Sequence, residues 1–242
     1  MNKRASFNRL HDFIKEYAER RNLRNTIVAL SLAMKYHEGQ FRDDGEPYIM
    51  HPMRVCVTLI LLRVDEAFRK TYPKKGKEWI WHACDIMYAT ALLHDAIEEA
   101  HLPREGKEFT QVYHLDREVR KNVRILTKPP KKKRWIWSQV YNPDRYYRKI
   151  RKSLIAAIVK ISDRKDNCTT FGVFPAQRKK KYIVENYEYI YPLIKGVKKK
   201  HSEFVPIIEV LEGIIKREVR PYEYLLKNDN ETGLTSKGVN TC

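Results

Sequence analysis

The sequence predicts an all-α fold, on three observations. Apolar residues recur at three- and four-residue spacing from one end of the chain to the other. No long β-branched alternation interrupts them. Glycine is scarce, at 9 of 242 residues.

The elements follow in order. Phe7 to Arg21 reads as a charged amphipathic helix with Leu10, Phe13, Ile14 and Tyr17 on one face. Asn25 is placed to cap the next helix, whose stripe is Ala29, Leu32, Ala33 and Tyr36 and whose stop is Gly39. The loop FRDDGEPYI turns at Gly45 and Pro47 and returns Tyr48 and Ile49 to the core. His51-Pro52 opens a helix with the proline in the first turn, where its missing N–H costs nothing, and Val55, Leu59 and Leu62 line the buried side. Phe68 to Lys77 reads as a basic loop or insertion. A central helix is expected from about Glu78 to Glu99, and another from Asp116 to Leu126. His101 to Val112 reads as irregular. TKPPKKKRWIWSQ breaks the pattern with paired prolines, and its basic run Lys131 to Arg134 suits a solvated or anion-binding loop. Further helices are expected over Arg145–Ile161, Ala176–Val197 and Val205–Val219. One domain over residues 1–226 is expected, with a disordered polar tail over 227–242.

Lys and Arg number 48 against 30 Asp and Glu, so polyanionic partners such as nucleotides are favoured. The four cysteines show no CxxC spacing, which argues against a zinc knuckle or a disulfide framework. The first residues lack the apolar core of a signal peptide, and no apolar run approaches the roughly 20 residues of a membrane span. The cytoplasm is the expected location, with no membrane partner.

The chemistry gathers in LLHDAIEE. His94 and Asp95 are adjacent, and Glu98 and Glu99 follow about one helical turn later. Four ionisable groups among apolar residues need a cation, a proton or a substrate to neutralise them. His51 at a helix entrance and Asp163 after the apolar run LIAAIVKIS complete a set of two imidazoles and two carboxylates, a donor set suited to a divalent transition ion.

An adjacent His-Asp pair is the signature of the HD phosphohydrolases. YHEGQFRDDGEPYIMHP, ALLHDAIEE, ILTK and IVKISDRKDN, in this order, resemble the hydrolase domain of the RelA/SpoT-type alarmone enzymes. The likeness runs from about Ile27 to Lys200, and the full HxGQxRxxGxPYxxHP pattern is its most specific part. It implies a helical HD-domain bundle that binds manganese (Mn2+) and removes the 3′-pyrophosphate of (p)ppGpp. It also implies roles by position. His51, His94, Asp95 and Asp163 match metal ligands. Glu98 and Glu99 match the pair that positions and deprotonates water. Arg42 matches an arginine over the guanine base, and Asn167 and Lys128 match positions in the nucleotide and phosphate sites. His37 matches a non-ligand histidine. Tyr187, and Tyr182 on the same helix, are further candidates for the base or a phosphate.

Three departures stand out. Glu99 replaces the family's Asp and reaches one methylene further, enough to displace a positioned base by about 1 Å. DRKDN replaces the usual DRLHN. The stretch Phe68 to Trp81 is largely additional. The sequence ends soon after the hydrolase-like part, as expected of a small stand-alone alarmone hydrolase, with a partner synthetase if it is an antitoxin. Two other readings stay open: an HD phosphohydrolase of another nucleotide such as NADPH or a deoxynucleotide, and an HD scaffold that binds a partner or nucleic acid without catalysis. Nucleic-acid binding is not expected, since no RNA-binding motif is present.

Overall fold

The computed structural model describes residues 3–99, 114–128 and 141–226, and these residues are helical with short connections. The helices are α1 (Lys3–Glu19), α2 (Arg24–Tyr36), α3 (Met50–Leu61), α4 (Val64–Thr71), α5 (Lys77–Leu93), α6 (Ala96–Glu99), α7 (Arg117–Leu126), α8 (Pro143–Ile150), α9 (Leu154–Thr169), α10 (Ala176–Glu185), α11 (Tyr191–Lys200) and α12 (Val205–Val219). The basic run Lys131 to Arg134, the expected irregular stretch His101 to Val112 and the tail 227–242 lie outside the described residues.

Two helices are buried almost all round, which marks them as the centre of the bundle. In α5, Ile80 and every residue from Ala83 to Leu93 are buried, and in α9 every residue from Ala156 to Arg164 is buried. α2 and α3 pack on α5, while α12 packs on α9.

The sequence periodicity misplaced the elements at four places. The central helix stops at Leu93, not Glu99, because the His94 ring turns back and donates from Nδ1 to the carbonyl of Ala91 at 2.8 Å. The expected helix Arg145–Ile161 is two helices. Ser153 Oγ accepts from the N–H of Ala156 and starts α9 afresh, so Asp163 lies inside α9 rather than at its end. The expected loop at Phe68 begins inside α4, whose buried face is Val64, Ala67 and Phe68, with Phe68 edge-on to Phe204. The basic residues of α4 hide that stripe in the sequence. The long helix 176–197 is interrupted by a π-turn at Asn186–Ile190, just before Pro192. Pro192 has no N–H to continue the α ladder, and a widened turn accommodates it.

The cap of α2 is also not the one expected. Asn25 lies inside the first turn, and Asp85 of α5 reaches across instead. Its carboxylate accepts from the backbone N–H groups of Asn25 and Thr26 at 2.9 and 2.7 Å, and from the Thr26 hydroxyl at 2.6 Å. A buried carboxylate on a helix N-terminus both satisfies orphan donors and meets the positive end of the helix dipole. The contact locks α2 to α5 and fixes the floor on which the His-Asp pair stands.

Candidate metal centre and substrate cavity

Three elements deliver four polar side chains to one point. His51 comes from the first turn of α3, His94 and Asp95 from the break after α5, and Asp163 from the middle of α9. One ligating atom from each lies within 4.8 Å of all the others. The two Nε2 atoms are 3.2 Å apart, and Asp163 Oδ1 is 3.1 Å from His51 Nε2 and 3.6 Å from His94 Nε2. Asp95 Oδ2 is 3.5 and 3.3 Å from the same two nitrogens. Atoms that share an ion at about 2.1 Å each lie roughly 3–3.5 Å from their neighbours, so these spacings fit a single divalent ion.

The proton positions point the same way. His94 Nδ1 gives its proton to the Ala91 carbonyl, and His51 Nδ1 lies 2.8 Å from Asp166 Oδ2. With both Nδ1 atoms as donors, both neutral rings aim an Nε2 lone pair into a space already holding two carboxylates. Such a set needs a cation between its members. The protonation tendencies reflect it. Burial works against a charged His51, but hydrogen bonds to Asp163, Asp166 and Asp95 outweigh it and push the ring up to about 9. His94 is raised in the same way, against burial, chiefly by Asp95. Burial works against charged carboxylates, yet Asp163 is held well below the usual carboxylate range, first by Lys160, and Asp95 first by His94.

A second ring of side chains holds these four. Tyr48 donates to Asp95 Oδ2 at 2.8 Å, and its ring stacks on His37, whose Nδ1 is bound to Gln40. Lys160 donates to Asp163 Oδ2 at 2.8 Å, and Asn167 Nδ2 donates to Asp163 Oδ1 at 2.5 Å. Arg42 donates to Asn167 Oδ1 at 2.9 Å. That bond fixes the plane of the Arg42 guanidinium. The Arg42 loop itself turns at Gly45, whose φ of +71° is a left-handed value that glycine adopts without strain.

The centre opens on a cavity of about 790 Å³. Arg42, Lys128 and Asn167 line it with His94, Asp95, Glu98, Glu99 and Asp163. Glu98 is half-buried, and its Oε2 accepts the Lys128 backbone N–H at 3.2 Å, while Glu99 is exposed. Burial, then the neighbouring Lys160, pushes the Lys128 ammonium below its usual range. Tyr187 is the exception among the expected residues. It lies outside this cavity, 48% exposed, with its hydroxyl bonded to Glu223 at 2.7 Å. Tyr182, one face round on α10, lines the cavity instead, with the Arg164 guanidinium 4.4 Å from its ring centre.

Sequence reasoning missed Tyr48, Lys160, Arg164, Asp166 and Glu185. For two of them, Lys160 and Arg164, a signal existed. Lys160, Asp163, Arg164 and Asn167 are spaced i, i+3, i+4, i+7 in a helix that opens with an apolar run, and share one face. Arg164 pairs with Glu185 at 2.5 Å, and Tyr147 donates to the other Glu185 oxygen at 2.7 Å. Burial raises the Glu185 carboxyl, but Arg164, then Lys160 and Lys128, outweigh it and hold it at about 2. A folded-state value below the ordinary one gives stability present above the unfolded value of about 4.3 and lost as pH falls through about 2. Glu185→Gln is therefore expected to flatten the acid limb of a urea-unfolding series between pH 5 and 2, by up to about 3 kcal/mol. An unchanged limb contradicts this.

No protein-family model matches the chain. Among curated proteins, it is similar to the guanosine-3′,5′-bis(diphosphate) 3′-pyrophosphohydrolase of Vibrio cholerae, 26% identical over 77% of this chain and 24% of that protein. It is likewise similar to the bifunctional (p)ppGpp synthase/hydrolase SpoT of Escherichia coli K12, at 26% over 77% of this chain and 24% of the relative. The GTP pyrophosphokinase rsh of Brucella melitensis is 29% identical over 66% of this chain and 19% of its own length. The resemblance to RelA/SpoT-type proteins read from the motifs thus extends over most of this chain. The chain spans about a quarter or less of the curated relatives it matches. Among the described residues, no helix is long and apolar enough to cross a membrane.

Proposed function

We propose that this chain hydrolyses the 3′-pyrophosphate of (p)ppGpp to GDP or GTP and pyrophosphate, with manganese held by His51, His94, Asp95 and Asp163. One observation carries the reading: the four ligating atoms meet at the floor of a cavity whose walls hold both a carboxylate pair and cations. The names of the relatives supply the substrate.

When bound, a divalent ion makes a water more acidic and polarises a phosphoryl oxygen. The remaining work falls to the side chains. Glu98, tethered to the Lys128 N–H, takes the proton of the attacking water, and Glu99 stands at the more open side. The new bond forms at the phosphorus attached to the ribose 3′-oxygen. The bond from that phosphorus to the 3′-oxygen breaks, and the 3′-oxygen takes up the proton that Glu98 removed from the water. Lys128 meets charge on the departing pyrophosphate. Arg42 lies against the base, with Asn167 fixing its plane.

The test is incubation of the purified protein with ppGpp, pppGpp, pppApp and NADPH, with and without manganese, beside Asp95→Ala. Pyrophosphate from ppGpp, dependent on manganese and lost in the variant, supports the reading. Phosphate released from NADPH alone moves the enzyme to another substrate, and no turnover of any of the four overturns it.

A further inference from the structure

We propose that Asp166 is a positioning residue for the metal centre: it holds His51 by the nitrogen facing away from the ion and so sets how tightly the site binds a divalent cation. The inference rests on the reading of His51 as a metal ligand.

α9 grips the His51 ring from both sides. Asp163 and Asp166 are three residues apart and share the inward face of the helix. Asp163 Oδ1 is 3.1 Å from Nε2, and Asp166 Oδ2 is 2.8 Å from Nδ1. The Asp166 side chain is 1% exposed, so this is a contact without competing solvent.

The carboxylate is itself clamped. Arg54, one turn after His51 on α3, donates to Asp166 from Nε at 2.8 Å and from Nη2 at 3.0 Å. Arg54 Nη1 in turn meets both oxygens of Glu46 at 2.7 Å, in the loop that carries Arg42. The chain Glu46–Arg54–Asp166–His51 therefore runs from the loop that carries Arg42 to the metal centre. Arg42 Nη1 stands 3.8 Å from the same Asp166 oxygen.

The two histidines of the centre differ in this respect. His94 Nδ1 donates to a backbone carbonyl, a neutral acceptor, whereas His51 Nδ1 faces a carboxylate. A carboxylate behind an imidazole fixes the tautomer, stops ring rotation and makes the far nitrogen a stronger donor. His51 is thus the better fixed of the two. The departure DRKDN places this acid, and the same departure puts Lys165 where its ammonium is 3.4 Å from Thr58 Oγ1.

The experiment is calorimetric titration of manganese chloride into protein stripped with EDTA, for the parent, Asp166→Asn and Arg54→Gln. Thermal unfolding of each stripped protein runs in parallel. Asp166→Asn is expected to weaken manganese binding by roughly 10–100-fold. Arg54→Gln leaves the carboxylate on His51 but frees it, and a smaller loss of roughly 3–10-fold is expected. A purely structural role lowers the unfolding temperature and leaves the affinity of the folded protein unchanged. A folded Asp166→Asn that binds within about threefold of the parent overturns the proposal. If that variant does not fold, Arg54→Gln decides, and parent-like affinity there overturns it equally. A parent that binds no manganese contradicts the metal-centre reading itself, an outcome distinct from unchanged variants of a binding parent.

Discussion

Asp163→Ala is expected to abolish ppGpp turnover, to lose stoichiometric manganese, and to destabilise the metal-free protein by about 3–5 kcal/mol. Each effect has its own atom. Oδ1 is the ligating oxygen beside both Nε2 atoms, and it also receives the Asn167 amide. Oδ2 neutralises Lys160, which is only 8% exposed, with its ammonium 6.0 Å from the Tyr146 ring centre. Alanine leaves that buried ammonium without its ion-pair partner, and an undercompensated buried charge is what makes a broken buried pair costly. Asp163→Asn separates the two roles. It keeps the shape of the side chain and so retains more of the fold, yet it offers the ion a neutral oxygen. Urea unfolding of the stripped proteins measures the first effect, and manganese titration the second. A stripped Asp163→Ala as stable as the parent contradicts the description of Lys160 as a buried charge stabilised chiefly by Asp163.

Glu98→Gln is expected to lower kcat by roughly 10²–10⁴-fold while leaving manganese affinity unchanged. Glu98 is not among the four converging ligands, so the centre should load normally. Its carboxylate is anchored by the Lys128 N–H, and glutamine preserves that contact through its carbonyl oxygen but accepts no proton. Glu99→Gln is expected to have the smaller effect, because Glu99 is exposed and its departure from Asp costs less if it is not the base. Steady-state kinetics on the two variants decide between them. The reverse order transfers the base role to Glu99.

The order of the elements was legible in the sequence, and so was the donor set. Val205–Val219 is a helix with the bounds its apolar spacing predicts, and Asp116 caps α7 by accepting from the Glu118 N–H. The four His and Asp side chains that the motifs single out do meet at one point. What stayed hidden was set by tertiary contact. The break after Leu93 depends on where one imidazole turns, and the α2 cap is supplied from 60 residues away by Asp85. Nothing in the sequence links Asp166 to Arg54, 112 residues away, and only the packing of α3 on α9 brings them together and buries Asp166 beneath His51. Tyr187 and Tyr182 were indistinguishable as aromatic residues of one basic helix, until the turn of α10 and the π-turn after it put one in the cavity and the other at the surface.

The most direct measurement is hydrolysis of ppGpp in ¹⁸O-enriched water with manganese present, with both products analysed by mass spectrometry. Attack at the phosphorus on the ribose 3′-oxygen predicts one heavy oxygen in the released pyrophosphate and none in GDP. Orthophosphate in place of pyrophosphate, or the label in the nucleotide, contradicts hydrolysis at the 3′-pyrophosphate.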